Sequence, residues 1–99
     1  MKKVFIITIE WNLRGEHGHE ILAVTNKKSV GKLFKTFVDN EKKESYLSDF
    51  FNTDGTLKDG ILDEIAEYTD TDNCFNLVTS DYEYYTTISI EEKEYKTLK

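Results

Sequence analysis

Two histidines, His17 and His19, have the type and spacing that most suggest chemistry. In an extended segment, side chains at positions i and i+2 point to the same side, so the two imidazoles could bind one metal ion. No third ligand stands at a spacing typical of zinc sites, and Gly18 in polar surroundings favours a hairpin loop. We therefore predict no metal and no cofactor. A small metal-dependent enzyme using both histidines is kept as an alternative.

Other catalytic patterns are weaker. The stretch NTDGTLKDG resembles a calcium-binding loop, but placing Gly55 at the sixth position puts Phe50 first and Ile61 twelfth, where carboxylates are required. Cys74 has no histidine or basic residue nearby in the sequence to activate it, which favours a buried strand residue. The sequence also lacks a phosphate-binding glycine loop and a GxSxG pattern. We predict that the protein is not an enzyme.

Charge is distributed unevenly along the chain. The net charge is −6, yet residues 1–38 carry seven Lys or Arg against three Asp or Glu, whereas residues 39–99 carry six against sixteen. Between Asp59 and Glu92 there are ten acidic residues and no Lys or Arg. An acidic surface of this kind opposes direct binding of nucleic acid and suits a basic protein partner.

Four of these acidic residues form a predicted partner-binding stripe. Asp59, Asp63, Glu67 and Asp70 recur at intervals of four, four and three, which would align them along one face of a helix. At a rise of about 1.5 Å per residue, successive carboxylates stand about 6 Å apart, close to the spacing of phosphates along a nucleic-acid strand. The stripe therefore predicts a nucleic-acid mimic. A solvated helix face is the alternative.

Two tyrosines complete the predicted site. Tyr84 and Tyr85 follow one another in a predicted strand, so they lie on opposite faces and at least one points away from the helices. Tyrosine buries a large area while keeping a polar tip, which favours a role at an interface. Ordinary strand packing is the alternative.

The stretch from Val4 to Val24 predicts a β-hairpin that anchors the fold. Its first strand has a core face formed by alternate residues, Phe5, Ile7, Ile9 and Trp11. A turn over residues 12–15 places Gly15 at positive φ. The predicted register pairs Phe5 with Ala23, Ile7 with Ile21 and Ile9 with His19.

Three helices are predicted between the hairpin and residue 70. The first is capped by Thr25 or Asn26 and ends within the polar run 39–44. Its apolar stripe comprises Val30, Leu33, Phe34, Phe37 and Val38. Gly31 inside it is expected to mark close packing on the sheet. A short second helix follows Ser45, and a third helix, capped by Thr56 or Asp59, directs inward Leu57, Ile61, Ile65 and Tyr68.

A second hairpin closes the predicted fold. It joins residues 74–79 to residues 82–90 through a turn at Ser80 and Asp81, and the charged tail from Glu91 is expected to be extended or frayed. The order predicts one α+β domain over residues 1–99. We expect a four-stranded, mainly antiparallel sheet in the order ββαααββ, with the helices on one face.

The layout resembles that of small acidic proteins of bacteriophages and mobile elements, a group that includes anti-CRISPR proteins. The resemblance is carried by the opening strand MKKVFIITIEW, the ββ-helix order and a closing strand, TTISIEEKEY. It implies a binding protein that inhibits a host complex handling nucleic acid.

These features predict a non-enzymatic protein-binding module that blocks a basic, nucleic-acid-binding surface of a host protein. The longest apolar runs are only a few residues, so we expect no membrane span, and the single cysteine agrees with a reducing cytoplasm. A structural protein that self-associates as a homodimer through an exposed sheet face is the second alternative.

Overall fold

The computed structural model describes residues 2–95, except for the side chains of Lys2, Tyr46 and Tyr95. Its five strands are β1 (Lys2–Leu13), β2 (Glu16–Thr25), β3 (Ile65–Asp70), β4 (Cys74–Thr79) and β5 (Tyr84–Tyr95). One α-helix, α1 (Lys27–Glu44), follows β2, and short 3-10 helices span Tyr46–Phe50 and Leu62–Glu64. The strands form one antiparallel sheet in the order β2-β1-β5-β4-β3.

The predicted fold class is therefore wrong in strand and helix number. Within residues 2–95 the sheet has five strands rather than four, and one α-helix replaces the predicted three. The predicted combination of strands and helix is present in the structure. The largest difference falls on residues 57–70, where the third helix was expected and where β3 forms instead.

A β-bulge explains why residues 57–70 imitate a helical pattern. The pairing of β3 with β4 shifts between Ile65 and Glu67, so that Ile65 and Tyr68 both pack against the core although they are three residues apart. A spacing of three is also that of a helix face. Upstream, Gly60 has a φ of +79°, which interrupts any helix at that point.

The first hairpin has a tighter turn than predicted. Arg14 and Gly15 both have positive φ, at +52° and +91°, the pattern of a two-residue turn that matches the twist of the flanking strands. The register pairs Phe5 with Thr25, Ile7 with Ala23 and Ile9 with Glu20, and it shifts between Ile7 and Thr8. The predicted register is wrong, because neither the shorter turn nor the bulge was anticipated.

The two histidines lie in a strand and not in a loop. His17 and His19 belong to β2, where they stand opposite Asn12 and Glu10 of β1. Gly18 between them faces the other side of the sheet against Trp11. The expectation of a hairpin loop at this position is wrong, because the turn ends before Glu16.

Helix α1 follows the predicted cap and stripe but extends further. The side chain of Asn26 accepts a hydrogen bond from the Ser29 backbone N–H at 3.1 Å, and Val30, Phe34 and Val38 are buried. The polar run 39–44 continues the helix to Glu44. The second predicted helix is a single 3-10 segment that Ser45 caps by accepting from the Leu47 N–H at 3.0 Å.

The second hairpin joins β4 and β5 as predicted, but β5 is longer. It begins at Tyr84 and continues to Tyr95, and its whole length pairs with β1. The tail expected to be frayed is thus a central strand through residue 95, whereas residues 96–99 lie outside the described residues. This pairing brings the two hairpins into one sheet.

The core lies between one face of the sheet and α1 with the first 3-10 helix. It is formed by buried apolar residues from the sheet, from α1 and from residues 47–51. These residues are Ile7, Ile9, Val30, Phe34, Val38, Leu47, Phe51, Phe75, Leu77 and Ile88. The predicted core face of β1 is confirmed, because Phe5 and Trp11 also pack against this cluster. None of the helices in the described part of the chain is long and apolar enough to cross a membrane.

Candidate ligand-binding cleft

A cleft of about 610 Å³ lies beside α1 on the helical side of the sheet. Its other walls are the turn that contains Asp54 and Gly55 and the segment 70–72 that leads from β3 to β4. Volumes of about 300 to 1,000 Å³ are typical of ligand pockets. We refer to this region as the acidic cleft, because its charged lining comprises Asp39, Asp54, Asp70 and Asp72 with Lys35 and Lys42.

One face of α1 forms a continuous wall of the acidic cleft. Its residues recur at helical spacing and are Gly31, Phe34, Lys35, Val38, Asp39 and Lys42. Phe34 and Val38 are only 3% and 4% exposed, so they give the cleft an apolar floor. The same helix face therefore supplies both an apolar surface and charged side chains.

The second wall is a turn held by its own hydrogen bonds. Phe51 and Leu57 form an isolated bridge, and the Asn52 N–H donates to the Thr56 carbonyl at 2.7 Å. The Asp54 carboxylate accepts from the Thr56 hydroxyl at 2.6 Å and from its backbone N–H at 3.0 Å. These hydrogen bonds to Thr56 hold the pKa of Asp54 below its usual value, so this carboxylate is ionised at neutral pH.

The third wall carries an ion pair set against the core. The Lys42 ammonium donates to Asp70 Oδ2 at 2.7 Å and lies 5.2 Å from the ring centre of Phe51 and 5.7 Å from that of Phe75. The Tyr68 hydroxyl donates to the same oxygen at 2.9 Å. Burial, the hydrogen bond to Asp70 and the Asp70 charge all raise the pKa of Tyr68. Tyr68 is therefore neutral at physiological pH and remains a donor.

The remaining carboxylates give the acidic cleft its unbalanced charge. Among the described residues, Asp39 and Asp72 make no hydrogen bond or ion pair through their side chains, whereas Asp70 is engaged by Lys42. The four carboxylates outnumber the two ammonium groups, of which Lys42 is already paired. An apolar floor below ionised carboxylates is suited to a cation with an aliphatic stem.

The predicted acidic stripe is not a single surface. Asp59 and Asp63 are exposed in the turn and the 3-10 helix that precede β3, whereas Glu67 and Asp70 lie in β3 itself. Glu67 stands opposite Val78 on the face without helices, and Asp70 stands opposite the buried Phe75 on the other face. Of the four, only Asp70 lines the acidic cleft. Their helical alignment was a wrong prediction.

Tyr84 and Tyr85 lie on opposite faces of β5, as predicted. Tyr84 is on the helical side, where the Arg14 guanidinium donates to its hydroxyl and stands 5.7 Å from the ring centre. Tyr85 is on the face of the sheet without helices, which we call the open face, and is paired in register with Asn12 and Val78. The two side chains therefore point to opposite sides of the sheet, so they do not form a single partner-binding surface.

The histidines lie on the open face of the sheet, where His19 is beside the carboxylate of Glu10. His19 Nε2 is 3.9 Å from Glu10 Oε1, and His17 is the next residue on that side of β2. Within residues 2–95, no group of three His, Cys, Asp or Glu side chains is placed to hold a metal ion. Cys74 is half-buried on the same open face, opposite Ser89 of β5.

Three cleft carboxylates were missed by sequence reasoning. Asp39, Asp54 and Asp72 come from a helix, a turn and a loop, and only the tertiary fold brings them together. One local signal was present, since Asp39 follows Gly31 and Lys35 at helical spacing and so shares their side of α1.

Comparison with known proteins does not point to a relative. No family model, no curated protein and no solved structure matches the chain. A function for this protein is therefore inferred from its own residues.

Proposed function

We propose that the protein is a non-enzymatic binding module whose acidic cleft takes a cationic segment of a partner protein. The observation that carries the proposal is the placement of Asp39, Asp54 and Asp72 around the apolar floor made by Phe34 and Val38. Carboxylates attract lysine and arginine, and an apolar floor contacts their aliphatic stems. Charge of one sign in a concave site also concentrates oppositely charged ligands.

The proposed partner is a basic host protein of the kind that handles nucleic acid. Such proteins present lysine and arginine to phosphates, so an acidic module competes for the same surface. The helical phosphate mimic is not retained, because its four carboxylates do not share a face. We propose instead that the protein inhibits its partner by competing with nucleic acid for the partner's basic surface, as is expected of the phage inhibitors that its layout resembles. We place this encounter in the cytoplasm, where such partners work.

The test uses a labelled oligo-arginine peptide, with an oligo-glutamate peptide of equal length as its control. Fluorescence anisotropy should show saturable binding of the arginine peptide that weakens as salt is added. The protein should also release a duplex DNA from its complex with the arginine peptide. Equal affinity for the two peptides would rule the proposal out.

A matched pair of variants separates the acidic cleft from general acidity. Replacing Asp39 and Asp72 with Asn changes the net charge by the same amount as the double variant Asp63→Asn and Glu67→Gln. Only the first pair lines the acidic cleft, and Glu67 lies on the opposite face of the sheet. We expect about tenfold weaker peptide binding for the first pair and less than about threefold for the second. Equal losses would mean that acidity alone binds the peptide.

Self-association is the second candidate, because one edge of the sheet carries exposed apolar residues. β2 is an edge strand, and its Ile21 and Val24 are each 59% exposed, with Val24 opposite Ile6 of β1. Edge strands with apolar side chains are natural sites for pairing with a second strand. Analytical ultracentrifugation should then give a dimer mass that Val24→Lys returns to the monomer. A monomer mass for the parent at all concentrations would exclude this candidate.

A further inference from the structure

The cleft-facing side of α1 contains a glycine that the fold itself does not require. Gly31 lies within α1, where glycine costs about 1 kcal/mol relative to alanine. A Cβ built on Gly31 meets no atom within 4 Å, and its φ lies outside the left-handed region that favours glycine. The expected close packing of Gly31 on the sheet is therefore wrong, and neither packing nor backbone conformation accounts for this residue.

The position of Gly31 in the acidic cleft gives a reason for a glycine at this point of α1. Gly31 is one of the residues that line the cleft, on the same side of the helix as Phe34, Lys35 and Val38. Any larger side chain would project from this wall, because residues at this spacing share one face of a helix. A glycine that weakens α1 and leaves space beside the apolar floor is what a ligand-accepting wall needs.

We infer that Gly31 keeps the acidic cleft open for the side chain of a single arginine or lysine of the partner. This inference rests on the proposed function and specifies how the cationic segment is held. The aliphatic stem lies along Phe34 and Val38, and the charged head is received by Asp39 and Asp72. Lys42 is not a competitor for these carboxylates, since its ammonium is held by Asp70 at 2.7 Å.

The charge of the cleft wall favours a cation over other ligands. Asp54 is kept ionised by the two hydrogen bonds that it accepts from Thr56. Lys35 is the cleft's remaining ammonium group and stands one helical turn from Gly31. With three carboxylates facing one ammonium once the Lys42–Asp70 pair is set aside, an anionic ligand would meet net repulsion.

The experiment fills the space at Gly31 and leaves every charge in place. Gly31→Trp puts a large ring into the acidic cleft, whereas Gly31→Ala adds one methyl group to open space. Thr36→Trp is the matched control, because Thr36 is exposed on the same helix and does not line the cleft. Thermal melts of all variants are recorded first. Gly31→Ala should melt above the parent, since alanine favours the helix.

Binding of the oligo-arginine peptide then decides the inference. We expect Gly31→Trp to bind about tenfold more weakly than the parent, Gly31→Ala to bind with an affinity between those two, and Thr36→Trp to stay within about twofold of the parent. Parent-like binding by Gly31→Trp overturns the inference, even if the Asp39 and Asp72 variant shows that the proposed function holds. Failure of the parent to bind overturns the proposed function itself. If Gly31→Trp melts below the parent, Gly31→Gln, whose side chain suits a helix, answers the same question.

Discussion

Lys42 and Asp70 form an ion pair at 2.7 Å whose two members are buried to different extents. The Lys42 side chain is 10% exposed and the Asp70 side chain is 34% exposed. Removing one member leaves the other without its partner, and the cost is larger for the more buried charge. We expect Asp70→Asn to lower the free energy of unfolding by about 2 to 4 kcal/mol and Lys42→Met by about 1 to 2 kcal/mol.

Urea unfolding at pH 7 measures both losses. The double variant Lys42→Met and Asp70→Asn is the control, because it removes both charges and should lose less than the sum of the single variants. A larger loss for Lys42→Met than for Asp70→Asn would show that the ammonium is better solvated than its burial indicates.

The two faces of β1 should respond differently to truncation. Ile7 is fully buried, whereas Thr8 lies on the open face and makes a 3.4 Å hydrogen bond to Ser89. We expect Ile7→Ala to cost about 2 to 4 kcal/mol and Thr8→Ala less than about 1 kcal/mol. Denaturant melts of the two variants measure this difference, and equal losses would contradict the assigned faces.

The face of β1 was predictable from sequence, but its register was not. Alternation of apolar residues survives any register that keeps the core face inward, so Phe5 and Ile7 were assigned correctly. The bulge between Ile7 and Thr8 leaves no local signal that distinguishes it from regular pairing. The same limitation applies to the bulge after Ile65, where a strand shares its spacing of three with a helix.

The acidic cleft was less predictable than the secondary structure. Strands and caps depend on neighbours in sequence, as with Asn26 before α1. The cleft joins Asp39, Asp54 and Asp72, which are separated by 15 and 18 positions and meet only after the sheet has formed. A periodic stripe of acidic residues is easier to recognise in a sequence than residues that meet only in the folded protein. This holds even where the stripe does not form a helix.

Gly18 should be intolerant of any side chain because Trp11 packs against it. A Cβ added to Gly18 would lie 2.2 Å from Cζ2 of the Trp11 ring. We expect Gly18→Ala to lower the free energy of unfolding by about 1 to 3 kcal/mol, since the ring must move out of its contact with the core.

A double variant tests whether the ring causes this loss. In a Trp11→Leu background the smaller side chain leaves room for the methyl group, so Gly18→Ala should cost less than about half as much as in the parent. Melting curves of the four proteins complete the cycle. An undiminished loss in the Leu background would place the cost in the backbone of β2 and not in the contact with Trp11.

The stability of the protein should depend on the protonation of Glu41 near the end of α1. Burial raises the pKa of Glu41 above its usual 4.5, a hydrogen bond from Ser45 opposes this rise, and the nearby Glu20 charge adds to it. A raised pKa means that the folded protein binds the proton more tightly than the unfolded chain. The ionised carboxylate therefore costs stability, and this cost develops as the pH rises from below 4.5 through the raised pKa.

Glu41→Gln removes this cost because the amide stays neutral. We expect the variant to melt at a higher temperature than the parent at pH 7 and at the same temperature near pH 4, where the parent carboxyl is largely protonated. Glu44→Gln is the control, since Glu44 is exposed in the same helical turn. Melting curves recorded between these two pH values should show the gain for Glu41→Gln growing with pH. A gain of equal size at both pH values, or the same gain for Glu44→Gln, would place the effect in helix propensity or net charge and not in the burial of Glu41.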